Sequence, residues 1–161
     1  EVEGGRTLAH MALIEPRLWH RLVDRILIES EFQGYFGTEP EASQREWAER
    51  ILNESLGFLR LCAEKPGGHF GPSPLVDIGW HTFILYTRPY AAFCEERAGR
   101  FIHHDPSDEP GVDYGDSSVG GTIAAMQEHG IAVDLELWGS GASCSDYCKN
   151  SCSSSRCTDT G

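Results

Sequence analysis

Four of the six cysteines in this chain fall within its last eighteen residues, and they are the side chains best suited to bind a soft ion or react. Cys144, Cys148 and Cys152 follow one another at intervals of four, and Cys157 comes five residues later. An interval of four puts the first three on one face of a helical turn. Ser143, with Asp146 three residues on, is a start resembling a capping box. Zinc ribbons and knuckles use a tighter C-x2-C turn, so a line of thiols suits Cu(I), or zinc with ligands added from elsewhere. Cys157 would close such a site after a turn through Ser153-Ser-Ser-Arg156. As ligands the thiols must ionise, so binding would release protons and order the segment together. The segment is too rich in Ser, Asp and Asn to offset the entropy of ordering it by burial. Metal, disulfides, covalent modification or a partner are the four ways to hold it, and an inert, redox-labile appendage is the alternative.

A second constellation lies mid-chain, at Asp77-Ile-Gly-Trp80-His81, followed by His103-His104-Asp105. Asp77 and His81, four apart, project from one helix face. His81 is then a metal ligand oriented by Asp77, or both are ligands, with His103 and His104 returning from the end of the same helical element. Two imidazoles and a carboxylate suit zinc, or a non-haem iron site with open positions. The competing reading is structural: a histidine bonded to an aspartate one turn away satisfies two polar groups in a core. Zinc is the first expectation for the ion at either place, with copper and iron behind it.

The elements that must position these groups are helical. Leu8 to Glu31 carries Leu18, Leu22, Val23 and Ile26 at helical spacing, broken at Glu15-Pro16. Phe32 to Pro40, with two glycines, reads as a loop. Glu41 to Glu64 is a second helix, with a stripe from Trp47 to Cys62, stopped by Lys65-Pro-Gly-Gly68. Pro74 to Ala98 is the most apolar and aromatic stretch, expected to be the central helix. Thr87-Arg-Pro89 should kink it or divide it into two abutting helices, and Gly99 ends it. Asp105 to Asp116, with no basic residue, reads as a solvated loop. A last helix spans about Val119 to His129, and Val133 to Trp138 docks an apolar residue on the core. Strand signals are nearly absent. The expectation is an all-α chain: one compact helical domain of four to five helices over 1–138, then a Gly/Ser linker and cysteine-rich tail over 139–161. Cys62 and Cys94 fall on apolar faces and read as core.

A net charge of −12 argues against nucleic acid and anionic lipid as partners. No apolar run approaches the roughly 20 residues that span a bilayer, and no export signal is visible at the first residues. The expected location is the cytoplasm, where clustered cysteines more often bind metal or react than form disulfides.

Asp77-Ile-Gly-Trp80-His81-Thr-Phe-Ile-Leu85-Tyr-Thr-Arg-Pro-Tyr90, continuing through Phe93-Cys94 to Gly99-Arg-Phe-Ile-His103-His104, resembles the D-x2-W-H-x3-L-x4-Y pattern of glycine-rich domain-containing proteins. It is especially similar to small bacterial relatives of actinobacterial type that end in a cysteine-bearing tail. The likeness covers about a third of the chain closely. It implies a helical domain with Asp77, Trp80 and His81 as signature positions, and no particular reaction. The chain departs from the name, since no glycine-rich tract is present.

Three functions are compatible with these features. The first is a metal-binding protein with a thiolate cluster at Cys144, Cys148, Cys152 and Cys157. The second is a folded leader whose Ser/Thr/Cys-rich end is remodelled by a modifying enzyme into a peptide product. The third is a metal-dependent enzyme built on Asp77, His81 and His103 or His104.

Overall fold

The structure, a computed structural model, describes residues 7–106, 108–111, 119–139 and 155–158. Six α-helices account for most of these residues: α1 (Pro16–Ile28), α2 (Ser30–Phe36), α3 (Glu41–Glu64), α4 (Pro74–Leu85), α5 (Thr87–Ala98) and α6 (Val119–Glu128). Short 3-10 turns stand at Met11–Leu13 and Leu135–Trp138. A two-stranded antiparallel ribbon joins β1 (His103–Pro106) to β2 (Ser155–Thr158). The domain is thus mostly helical, as its periodicities predict. Among the described residues no helix is long and apolar enough to cross a membrane.

Three departures from the sequence expectation have physical causes. The break expected at Glu15-Pro16 does occur, with α1 starting at Pro16, whose place in the first helical turn needs no N–H; the departure is that the residues before it form only a 3-10 turn. The stretch expected as a loop after Glu31 contains α2, which buries Phe32 and Phe36, and Phe36 stacks on Trp47 at 4.7 Å between ring centroids. That burial outweighs the low helix propensity of Gly34. The ribbon is the third: β1 is four residues without apolar alternation, and its partner strand is remote in sequence. The expected division at Thr87 does occur, with Tyr86 as the joint between α4 and α5, although no side chain caps α5. Gly99 ends α5 in the left-handed region, φ 67°, where lack of a Cβ removes the strain.

The centre of the domain is α3, not the more apolar α4–α5 pair. Helix α3 packs on α1, α2, α4, α5 and α6, and its second half is buried on nearly every side. Its polar residues hid this role, because each is satisfied by a segment distant in sequence. Asn53 Oδ1 accepts the His10 backbone N–H at 2.8 Å. Arg50 lies over the Trp47 ring and donates to Asp134 at 2.9 and 3.0 Å and to Glu136 at 3.0 Å. Glu54, 1% exposed, accepts from the Asp134 backbone N–H at 3.0 Å and from Trp138 Nε1 at 2.8 Å.

Burial pushes the Glu54 carboxyl above its ordinary value of 4.5, against the opposing pull of those two donors. An acid whose folded pKa is raised binds its proton more tightly in the native state. Stability therefore falls as pH rises from about the unfolded value through the folded one. Glu54→Gln keeps an oxygen for both donors and has no charge to bury. Thermal melts of the two proteins are expected to agree best in acid and to diverge, with the variant the more stable, as pH rises toward neutrality. A gap that stays constant with pH would show that Glu54 is not held above its ordinary value.

Candidate metal centre

Helix α4 is set in place at its first turn. Ser73 caps it, its Oγ accepting from Val76 N–H at 3.2 Å and donating to Leu137 O at 2.7 Å, and Pro74 begins the helix. Gly79 then allows α4 to lie directly on α3 at Ser55, whose hydroxyl reaches the Ile51 and Val76 carbonyls at 2.7 Å each. This seats Trp80 in the core and turns Asp77 and His81, one turn apart, toward the edge of the domain.

The third residue arrives from α5 and the segment after it. Tyr90, fully buried, accepts from Trp80 Nε1 at 3.0 Å and donates to the Ile102 carbonyl at 2.5 Å. Burial holds its phenol far above the ordinary range, so it serves as a neutral relay. The bond to Ile102 fixes the start of β1. Two residues on, His104 lies against the Trp80 indole at 4.2 Å between ring centroids and meets His81 edge-on at 4.6 Å. His104 Nε2 is 2.7 Å from Asp77 Oδ1.

Asp77, His81 and His104 thereby form a cluster whose ligand atoms all lie within 4.8 Å of one another. The Asp77 and His104 side chains are mostly buried, 22% and 12% exposed, whereas His81 is exposed. Ligand atoms about 2.1 Å from a tetrahedral ion stand roughly 3.4 Å apart. The Asp77–His104 pair is closer than that at 2.7 Å, a hydrogen bond that an ion placed between the two side chains would replace. His103 does not join it. Successive strand residues point to opposite faces, and the His103 ring packs on Phe101 at 4.8 Å.

The stretch from residue 17 to residue 113, from α1 through β1, matches the family model described as UCP032817-like. The chain belongs to that family. The UCP032817-like stretch contains all three residues of the cluster and the Trp80–Tyr90–Ile102 relay that positions them, but stops short of α6, Trp138 and the tail. No curated protein and no solved structure matches this chain.

Of the other residues singled out by spacing, Cys144, Cys148 and Cys152 lie outside the described residues. Cys157 lies in β2, opposite His104 in the ribbon. Cys62 and Cys94 are buried and outside any disulfide, and burial pushes the Cys94 thiol up, so Cys94 is a packing residue rather than a nucleophile. Spacing gave no hint of His10. It is 3% exposed, with its ring against Gly57, its Nε2 unpaired among the described residues and its pKa lowered by burial. His129 pairs with Glu64 at 2.6 Å across the α6–α3 contact, another link without a sequence signature.

Proposed function

We propose that this is a metal-binding protein whose ion sits between Asp77, His81 and His104, with zinc as the ion that best suits the donors. The observation carrying this reading is the convergence of two imidazoles and a carboxylate from α4 and β1 within 4.8 Å. Two nitrogen ligands and one oxygen are a donor set that zinc accepts, and one that non-haem iron accepts with positions left open. The Trp80 indole behind His104 supplies the apolar wall that keeps water from one side. The Asp77 carboxylate meets His104 Nε2 at 2.7 Å, which fixes the orientation of the ring.

A metal-dependent enzyme using the same three residues is the second reading. The exposure of His81 favours it, because an ion there has a solvent side on which water or a substrate can bind.

Titration of the metal-free chain with zinc, followed by calorimetry and native mass spectrometry, tests the site. One ion per chain is expected, with affinity reduced by at least about 100-fold in His81→Ala and in His104→Ala. His81 is exposed, so its loss leaves the core intact, and circular dichroism of that variant should match the parent. Zinc affinity unchanged by His81→Ala would rule the site out.

A further inference from the structure

We infer that a cavity over the buried polar face of α3 is a binding site for a small neutral amide, recognised by Arg50, Asn53 and Glu54. These residues, three and four apart, share one face of the helix. They line a cavity of about 280 Å3 whose other walls are residues 7–9 and 132–134. The bonds described above use only part of each side chain. Arg50 uses Nε and Nη2 on Asp134 and Glu136, Asn53 uses Oδ1 on the His10 N–H, and Glu54 uses Oε1. Arg50 Nη1, Asn53 Nδ2 and Glu54 Oε2 make no hydrogen bond among the described residues. Nor are these atoms sealed off, since the enclosed polar atom without a partner among those residues is His10 Nε2. The three residues are only 6%, 9% and 1% exposed, so what stays open in each belongs to the cavity they line. The His10 N–H also fixes the Asn53 amide, holding Oδ1 inward and leaving Nδ2 for the cavity.

The charge around the cavity selects the ligand. Arg50 is already matched by Asp134 and Glu136 at 2.9 and 3.0 Å, and an anion would meet the Asp134 carboxylate in the same wall. A cation would face the guanidinium and leave two buried donors without an acceptor, a loss larger than that of a favourable contact. A neutral amide answers all three groups. Its carbonyl oxygen accepts from Arg50 Nη1 and Asn53 Nδ2, and its N–H donates to Glu54 Oε2. Leu8, Ala9, Ala132 and Val133 surround a short alkyl chain with apolar side chains. The volume lies just below the roughly 300–1,000 Å3 of ordinary ligand pockets, which restricts the ligand to a small molecule. The cavity shares no residue with the Asp77–His81–His104 cluster, so the two sites stand or fall separately.

Propionamide, propionate and propylammonium have similar shapes and differ in charge, so titrating each into the full chain by NMR tests the chemistry. The Trp138 indole N–H, bonded to Glu54 Oε1, is the reporter. Propionamide is expected to shift it saturably, with both ions binding at least about 10-fold more weakly. Two variants locate the site. Glu54→Gln keeps an oxygen for Trp138 and Asp134 but presents an NH2 group where Oε2 stood. Asn53→Asp keeps an acceptor for His10 and loses the donor. Each should weaken propionamide binding at least about 10-fold, with thermal melts confirming that the variant is folded. Should Asn53→Asp fail to fold, Glu54→Gln decides alone, since it removes a buried charge and keeps both bonds. The proposal is overturned by the absence of a saturable shift with propionamide, or by either ion binding as tightly as the amide. Undiminished propionamide affinity in folded Glu54→Gln would overturn it as well.

Discussion

Gly79→Ala is expected to destabilise the protein by about 3 kcal/mol, although alanine is the better helix former by about 1 kcal/mol. A Cβ at position 79 would stand 2.1 Å from Ser55 Oγ, 2.9 Å from Ser55 Cβ and 3.2 Å from the Ile51 carbonyl oxygen. Ser55 cannot simply turn away, because its hydroxyl is bonded to carbonyls of both helices. Nor can the helices part without loosening Trp80 and Phe58, whose rings meet at 5.2 Å. Chemical denaturation of the two single variants and the double variant locates the strain. Gly79→Ala should cost less in a Ser55→Ala background, since the nearest atom is then gone, and strict additivity would show that the Ser55 contact is not the source.

Tyr90→Phe should be nearly as damaging, at about 2–4 kcal/mol, for the loss of a single oxygen. That oxygen is the partner of both Trp80 Nε1 and the Ile102 carbonyl. Tyr90 and Trp80 are fully buried and Ile102 is 1% exposed, so no water replaces it. Each buried group left unpaired costs about 1–3 kcal/mol. A fall in melting temperature of roughly 6–12 °C is the expected reading. A melting temperature unchanged by the substitution would mean that the relay does not anchor β1. Because Ile102 stands two residues before His104, the same variant is also expected to bind zinc more weakly than the parent.

Much of the helical frame is legible in the sequence, because helix ends here carry their own chemistry. Pro16, Lys65-Pro-Gly-Gly68, Pro74 and Gly99 each stand where an element starts or stops. The pairing of Asp77 with His81 follows from helix period alone. The choice of His104 over His103 does not, since it depends on a strand whose existence is set by pairing with a remote segment. The central place of α3 was hidden for a related reason. A reader of the sequence sees Arg50, Asn53, Glu54 and Ser55 and infers a wet surface, when each polar group is matched by a residue from another element, three of them far along the chain. Long-range polar matching leaves no periodic trace.

The clasp on Arg50 and Glu54 also separates two lengths that are easily confused. The family match ends at residue 113, yet Asp134, Glu136 and Trp138 are what neutralise and pair the buried charges of α3. Met126, Ile131 and Leu137 belong to the same core. A fragment cut to the matched stretch would strand an arginine and a glutamate inside an incomplete interior, at a cost exceeding the total stability of many small domains. The stretch with a recognisable ancestry is thus shorter than the stretch that can stand alone, and during synthesis α3 must wait for residue 138 before its interior is complete.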